Sequence, residues 1–397
     1  MSLATCSPLQ LCPTATKQQE QTAASALADF AVNLYKNISV QDQDTNQVTS
    51  PASIALALAI LENGANGETR QQLDDALVSI GSSVDVLTAY RAFEQQLQID
   101  DDKAKLSIAN GLFEDKTLQL KDSYVSSTRD CLQAGIDNNN DFQNQLEPTR
   151  QKINKWVSDQ TAGKIPELFK PGVLTQRDRM VIANALYFKS SWLATFNKTL
   201  TKHQVFYKNG QDNSTESVPF MKDNSDYLHA STEDIDALQL QFEHPDLALY
   251  VVLPKKRDGL RDFEHSLTGC QLRSIIASMR IRPVQLQLPK FVVRSSIDLK
   301  VVLTKMGLAN MFSKMADFSR MSAIPLQVDN AIHQAYINVN ENGTEAASAS
   351  GMTIAPVTVH ADPINFVADH PFLFAILHKP SGAIVYLGKV NEIRAHN

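Results

Sequence analysis

The chain changes texture near residue 180, and that change limits the folds open to it. Ahead of it, Leu27, Phe30, Ala31 and Leu34 recur at helical spacing while Asp29, Asn33 and Lys36 take other faces. Ser50-Pro51 opens an Ala/Leu-rich segment carrying Ile54, Leu56, Leu58, Ile60 and Leu61, and the segment ends near Gly64. A serine cap with proline at the first helical position predicts a buried helix there. Ile153–Val157 reads as helical and is closed by Gly163. Beyond the change, Val181–Phe188, Leu247–Leu253, Val284–Leu288, Ile332–Val339, Phe372–Leu377 and Ala383–Leu387 are short apolar or alternating runs bounded by Pro, Gly and Asn. Strands and helices do not alternate, and no internal repeat is visible. Helices first and strands second predict an α+β domain with a large mixed or antiparallel sheet, not a doubly wound one. Residues 1–22 are polar and Gln/Thr-rich and read as a loose arm, which leaves 23–397 for one domain.

Charge and motifs then exclude whole classes of function. Thirty-seven basic against 43 acidic side chains give a net charge of −6, without the basic face that nucleic-acid binding needs. The densest basic stretch, PKKRDGLR at 254–261, follows an apolar run and reads as a solvated turn. No helix shows a basic face, so no glycosaminoglycan or other cofactor is expected. No apolar run approaches the ~18 residues of a spanning helix, so no membrane partner is expected either. The four cysteines, Cys6, Cys12, Cys131 and Cys270, lack the paired CxxC spacing of zinc sites, although Cys6 and Cys12 are near enough to close a small loop.

No hydrolase elbow, phosphate loop, dinucleotide fingerprint or HExxH pair occurs. His360, Asp362, Asp369 and His370 form the most metal-like cluster. The intervening Pro363, Ile364, Phe366 and Val367 instead predict a polar connection followed by a strand, and no metal. His333 sits inside an alternating apolar strand, where a hydrogen-bonded core histidine is expected rather than a catalytic base. The chain is therefore not expected to be an enzyme. The first 20 residues lack the basic start and continuous apolar stretch of a secretory peptide. Asn-x-Ser/Thr sequons at Asn37, Asn197, Asn213 and Asn342 point the other way, so an extracellular location is expected, with the cytoplasm as the alternative.

One segment fits none of these readings. Residues 343–358 join two convincing strands, yet they far exceed the usual length of such a connection. Every side chain from Ala346 to Ser350 is small, and proline is absent until Pro356. As a strand, Thr344, Ala346, Ser348, Ser350, Met352 and Ile354 would share one uncharged face that grows apolar toward its end. The opposite face, Glu345, Ala347, Ala349, Gly351 and Thr353, carries the only charge. A loop patterned this way can become a central strand if a gap opens for it. By composition alone it reads as a flexible Ala/Ser/Gly loop.

The flanking sequence resembles the serpin family from about residue 25 to 393. Asn46 to Ile54, containing Ser50, Pro51 and Ser53, with Gly64-Ala65 and Thr69, resembles that family's shutter strand and the helix behind it. Ile153-Asn154-Lys-Trp156-Val157 through Thr161 and Gly163-Lys164-Ile165 is similar to another family block. Asn184-Ala185-Leu-Tyr187-Phe188-Lys189 with Trp192 and Phe196 resembles the breach strand. Leu288-Pro289-Lys290-Phe291, Asp298-Leu299, Gly307 with Phe312, and Ala316-Asp317-Phe318-Ser319 follow in the family's order. His333-Gln334-Ala335 resembles the shutter histidine motif. Asn340 to Ala347 resembles the hinge of the reactive loop, and Phe366 to Phe374 the strand after it. Asn342 departs from the charged residue usual at its position, Asn63 from a common Leu, and Ser190 from a frequent Gly.

The resemblance implies a monomeric suicide-substrate inhibitor of a serine protease. Its reactive loop would span about 341–365, exposed above a helical N-terminal half, a large central mixed sheet and smaller sheets. The protease would form an acyl-enzyme on that loop, and the freed loop would insert into the main sheet. The implied hinge is Glu341, Gly343, Thr344, Glu345, Ala346, Ala347, Ser348 and Ala349. The implied shutter and breach residues are Ser50, Ser53, Asn184, Trp192 and His333. Family spacing places the reactive bond at Val357–Thr358. Pro356 spoils the two preceding bonds, which supports that register, and Thr358–Val359 and Val359–His360 are fallbacks. A pocket that accepts valine is small and apolar, so an elastase-like target is expected. A glycan on Asn342 would obstruct insertion, so that sequon is expected to be empty, leaving Asn37, Asn197 and Asn213. A non-inhibitory serpin acting as carrier, chaperone or storage protein is the alternative.

Overall fold

Helix formation begins earlier than the sequence suggests. In the computed structural model, which describes residues 15–40, 43–78, 85–344 and 362–393, α1 runs Lys17–Ser39. Thr16 and Gln19 form a capping box, each side chain accepting a hydrogen bond from the other's backbone N–H. Residues 17–22, expected in the loose arm, are therefore helical, and residues 1–14 of that arm lie outside the described residues.

The serine-proline signal works as expected. Helix α2 spans Pro51–Gly64, and Ser50 Oγ accepts from Ser53 N at 3.3 Å. All fourteen of its residues are buried. It ends at Gly64, where an added Cβ would lie 2.7 Å from Met321 and 2.9 Å from Tyr124. Four further helices follow in the first half of the described residues, with two strand regions among them: α3 (Gly67–Leu77), α4 (Val86–Leu97), α5 (Asp122–Leu132) and α6 (Leu146–Gln160). The second half adds only short ones, α7 (Leu260–Ser266), α8 (Gly269–Ser278) and α9 (Leu299–Lys305).

Strands among the described residues form two sheets. The larger has nine: β1 (Gln47–Thr49), β6 (Lys202–Tyr207), β7 (Thr215–Ser231), β8 (Ile235–Gln241), β9 (Leu247–Pro254), β10 (Arg280–Pro289), β13 (Ile364–Val367), β14 (Phe372–His378) and β15 (Ala383–Val390). The other has six: β2 (Ile99–Asp100), β3 (Ala104–Asp115), β4 (Gly135–Asn140), β5 (Met180–Ser190), β11 (Phe291–Asp298) and β12 (Asn330–Val339). Its main order is β11-β12-β5-β3-β2, with β4 beside β3. All six apolar runs read from the sequence fall on strands. The missed strand β3 matters most, because it places a strand of the six-stranded sheet inside the supposedly helical half.

Alternation explains the layering. On β14, Leu373, Ala375 and Leu377 pack with Ala28, Val32 and Tyr35 of α1 and Leu272 of α8. Phe372, Phe374 and Ile376 point the other way, into the core shared with α2 and the six-stranded sheet. Covered on both faces, β14 and β15 are buried along their whole length. The far face of the six-stranded sheet is covered by α6, whose Ile153, Trp156 and Val157 lie over Phe113, Val181, Ala183 and Ala185.

Candidate functional site: a forked pair of strands

Strands β5 and β12 lie side by side and parallel, but they are paired along only half their length. Their register runs from Asn330↔Val181 to Gln334↔Ala185. Each has a full antiparallel partner on its outer edge: β3 pairs β5 from Met180 to Ser190, and β11 pairs β12 from Ile332 to Val339. The upper halves, Leu186–Ser190 and Ala335–Val339, are thus held as strands from outside, with no ladder between them among the described residues. Facing main-chain N–H and C=O groups in such a fork can be satisfied by another strand.

The closed half is anchored by a buried polar cluster. His333 is fully buried and accepts from Ser50 N at Nε2, 3.0 Å away, so its proton sits on Nδ1, 2.5 Å from Asn184 Oδ1. Burial holds its pKa down at about 3, so the ring is neutral. Asn184 Nδ2 faces Ser53 O (2.9 Å), Ser53 Oγ (2.7 Å) and Asn110 Oδ1 (2.5 Å). The structure therefore brings Ser50, Ser53, Asn184 and His333 together, and it adds Asn110 from the overlooked strand β3.

The open half is closed at its mouth by the start of the odd segment. Past Val339 the chain turns back at Asn340–Gly343, and Gly343 makes an antiparallel bridge with Ser191. Thr344 N donates to Ser190 O at 3.0 Å, and Thr344 Oγ1 accepts from Ser190 N at 3.1 Å. Thr344 is buried, at 1% exposure. Gly343 has φ +144°, and an added Cβ would lie 2.1 Å from Ser190 O, so only glycine fits this approach.

Trp192 stands apart from the polar cluster, at the mouth. Its ring stacks on Phe242 with centroids 4.6 Å apart, and its Nε1 donates to Asn340 O at 2.8 Å. Trp192 N and Phe196 N donate to Asn342 O and Glu341 O, each at 3.0 Å. Burial works against the charge of Glu341, but Lys290 (3.0 Å) and the Thr201 hydroxyl (3.0 Å) hold its carboxyl below the ordinary range. The other expected hinge residues, Glu345, Ala346, Ala347, Ser348 and Ala349, and the expected reactive bond at Val357 and Thr358, lie outside the described residues.

Residues 25–393 match the model of the family described as serpin, serine protease inhibitor. The chain belongs to the serpin family. A leukocyte elastase inhibitor of Bos taurus is 34% identical over 380 residues, covering 94% of this chain and all of the relative. Serpin B4 of Homo sapiens is 31% identical over 389 residues, covering 93% and 99% of the two chains. Among solved structures, human thyroxine-binding globulin complexed with thyroxine superposes with a TM-score of 0.85 at 27% identity, over 95% of this chain and 100% of that one. The α+β architecture is that of a serpin. The fork lies in the six-stranded mixed sheet.

The remaining expected sites are placed unevenly. Asn197 and Asn213 are exposed, whereas Asn37 lies on α1 with its Nδ2 donating to Asn33 O, and its sequon partner Ser39 is buried. Of the metal-like cluster, His360 lies outside the described residues. His370 is buried between Asp369 Oδ1 and Pro254 O, at 2.6 Å from each. Cys131 is buried and disulfide-bonded, and Cys270 is exposed and free. Lys290 was visible as part of a family block, but its pairing with Glu341 was not, because 51 residues of sequence separate them. Asn110 had no such signal.

Proposed function

We propose that this serpin inhibits an elastase-like serine protease as a suicide substrate, with its own loop filling the fork between β5 and β12. The observation that carries this reading is the half-open pair with Thr344 already docked at its mouth. Because Gly343 and Thr344 run antiparallel to β5, each further loop residue would meet one residue earlier on that strand. Thr344 stands against Ser190, so Ser348 would stand against Leu186. The bridge between Asn340 and Gly343 sets the β12 side in the same way, placing Ser348 against Ala335. The two registers agree with the parallel offset below, where Gln334 faces Ala185. Small side chains at 346–350 suit a strand that must pass between two others. Insertion past Ser348 would have to unzip the existing ladder under α6.

Cleavage at Val357–Thr358 would free this strand with the protease attached through an acyl bond to Val357. Deacylation is then outrun by insertion. Relatives named leukocyte elastase inhibitor and a valine at the reactive position both support an elastase-like target. We read the protein as a monomer acting outside the cell. The disulfide at Cys131 and the exposed sequons at Asn197 and Asn213 support that location.

The test is incubation with an elastase, a chymotrypsin-like and a trypsin-like protease, followed by denaturing electrophoresis and mass spectrometry. The expected result is a complex with elastase that survives denaturation and a released fragment that starts at Thr358. Val357→Arg is expected to redirect trapping to the trypsin-like enzyme; unchanged target choice would place the reactive bond elsewhere. Clean cleavage by all three without a complex would favour a carrier or storage role.

A further inference from the structure

We infer that the hydroxyl of Tyr386 is a latch at the apex of the fork, holding β5 and β12 at their present separation and setting the rate at which the gap opens further. The inference rests on the insertion reading above. Tyr386 lies on β15, in the nine-stranded sheet, and is fully buried. Its ring meets Phe188 of β5 at 6.4 Å between centroids. Its Oη is 3.2 Å from Tyr336 O on β12 and 3.4 Å from Leu186 O on β5.

Those two carbonyls occupy a particular place. The ladder between the strands ends at Gln334↔Ala185. Leu186 is the next residue on β5, and Tyr336 lies two residues on along β12. The phenol therefore reaches up from the sheet beneath and offers its single proton to both arms where they part. A hydroxyl has one hydrogen, so the two carbonyls share it.

A strand inserting to Ser348 would bring its own N–H groups to these same carbonyls. The Tyr386 hydroxyl has to give them up before the ladder below can be unzipped. It thus stabilises the uninserted form and has no corresponding role toward those carbonyls once a strand has replaced it. A hydroxyl serving the core alone would stabilise both forms equally. That difference makes the inference testable.

Tyr386→Phe removes the hydroxyl and keeps the ring. Uptake of a synthetic peptide of sequence TEAASASGMT, residues 344–353, is followed by native electrophoresis with the uncleaved protein. Uptake is expected to be roughly two- to tenfold faster in the variant, the span set by one ordinary hydrogen bond. In parallel, the unfolding midpoint of the uncleaved variant is expected to fall by a few degrees, while that of the loop-cleaved variant stays at the wild-type value. Equal uptake rates, or equal falls in both midpoints, would overturn the latch. No uptake by either protein would overturn the insertion reading, and the latch with it. Neither assay requires the target protease, so a mistaken target leaves both readouts intact.

Discussion

The two halves of the β5–β12 pair have the same chain, the same outer partners and opposite fates. In the lower half, Val181–Ala185 and Asn330–Gln334 are paired, covered by α6, and pinned by the Ser50, Ser53, Asn110, Asn184 and His333 cluster. In the upper half the same strands run on without a ladder between them among the described residues, and Gly343 and Thr344 are wedged at the mouth. The contrast teaches that strand propensity does not decide where this sheet closes. The outer edges supply regular strand geometry along the full length, and local polar fixtures decide which half is shut. A buried, fully bonded polar cluster is costly to open, whereas facing edges with no ladder between them among the described residues can accept a strand that fills them.

The sharpest way to break this contrast is at the wedge. Thr344→Arg would place a charge where the native residue is fully buried, which costs several kcal/mol if unpaired. The stable protease complex is expected to fall by at least about a hundredfold, a little under 3 kcal/mol, while cleavage of the loop continues. Gel densitometry of complex against cleaved inhibitor reads this directly, and an unchanged ratio would remove Thr344 from the mechanism.

The closed half has its own signature in pH. His333 is held at a pKa of about 3 in the folded protein, against about 6.5 when unfolded. The unfolded chain therefore binds more protons between those values. The stabilisation from keeping this ring neutral is complete above about pH 6.5 and is lost progressively as the pH falls toward 3. Between pH 7 and 5 the loss is about 2 kcal/mol from this residue. Urea unfolding at the two pH values is expected to show it, and the same comparison in His333→Gln is expected to show a flatter dependence.

The mouth offers the smallest effect. Lys290 is partly exposed, so Lys290→Ala is expected to cost only about 0.5–1 kcal/mol. Because Glu341 is held below its ordinary pKa, that contribution is present above the usual carboxylate range and is lost as the pH falls. A thermal midpoint lowered at pH 7 and equal to wild type at acid pH would match. An equal fall at both would mean that Lys290 acts through packing.

Local signals in the sequence were legible where one residue type has one physical use. Ser50-Pro51 and Gly64 bounded α2 because capping, a fixed φ and lack of space each select those residues. His333 was readable as a core histidine from its place in an alternating run. What remained hidden depends on convergence in space. Strand β3 holds Asn110-Gly111 in its middle, which reads as a break, yet Gly111 gives room to Trp156 and Asn110 completes the Asn184 cluster. Tyr386 looked like one more apolar residue in a buried strand, and only its distance to two carbonyls 150 residues apart in sequence gives its hydroxyl a role.

The most direct measurement is amide hydrogen exchange by mass spectrometry across Leu186–Ser190 and Ala335–Val339, before and after the loop is cleaved. In the intact protein these upper halves are expected to exchange faster than Val181–Ala185 and Asn330–Gln334. Cleavage is expected to protect them strongly, because the inserted strand would engage both facing edges. Protection that stays the same after cleavage would contradict insertion into this fork.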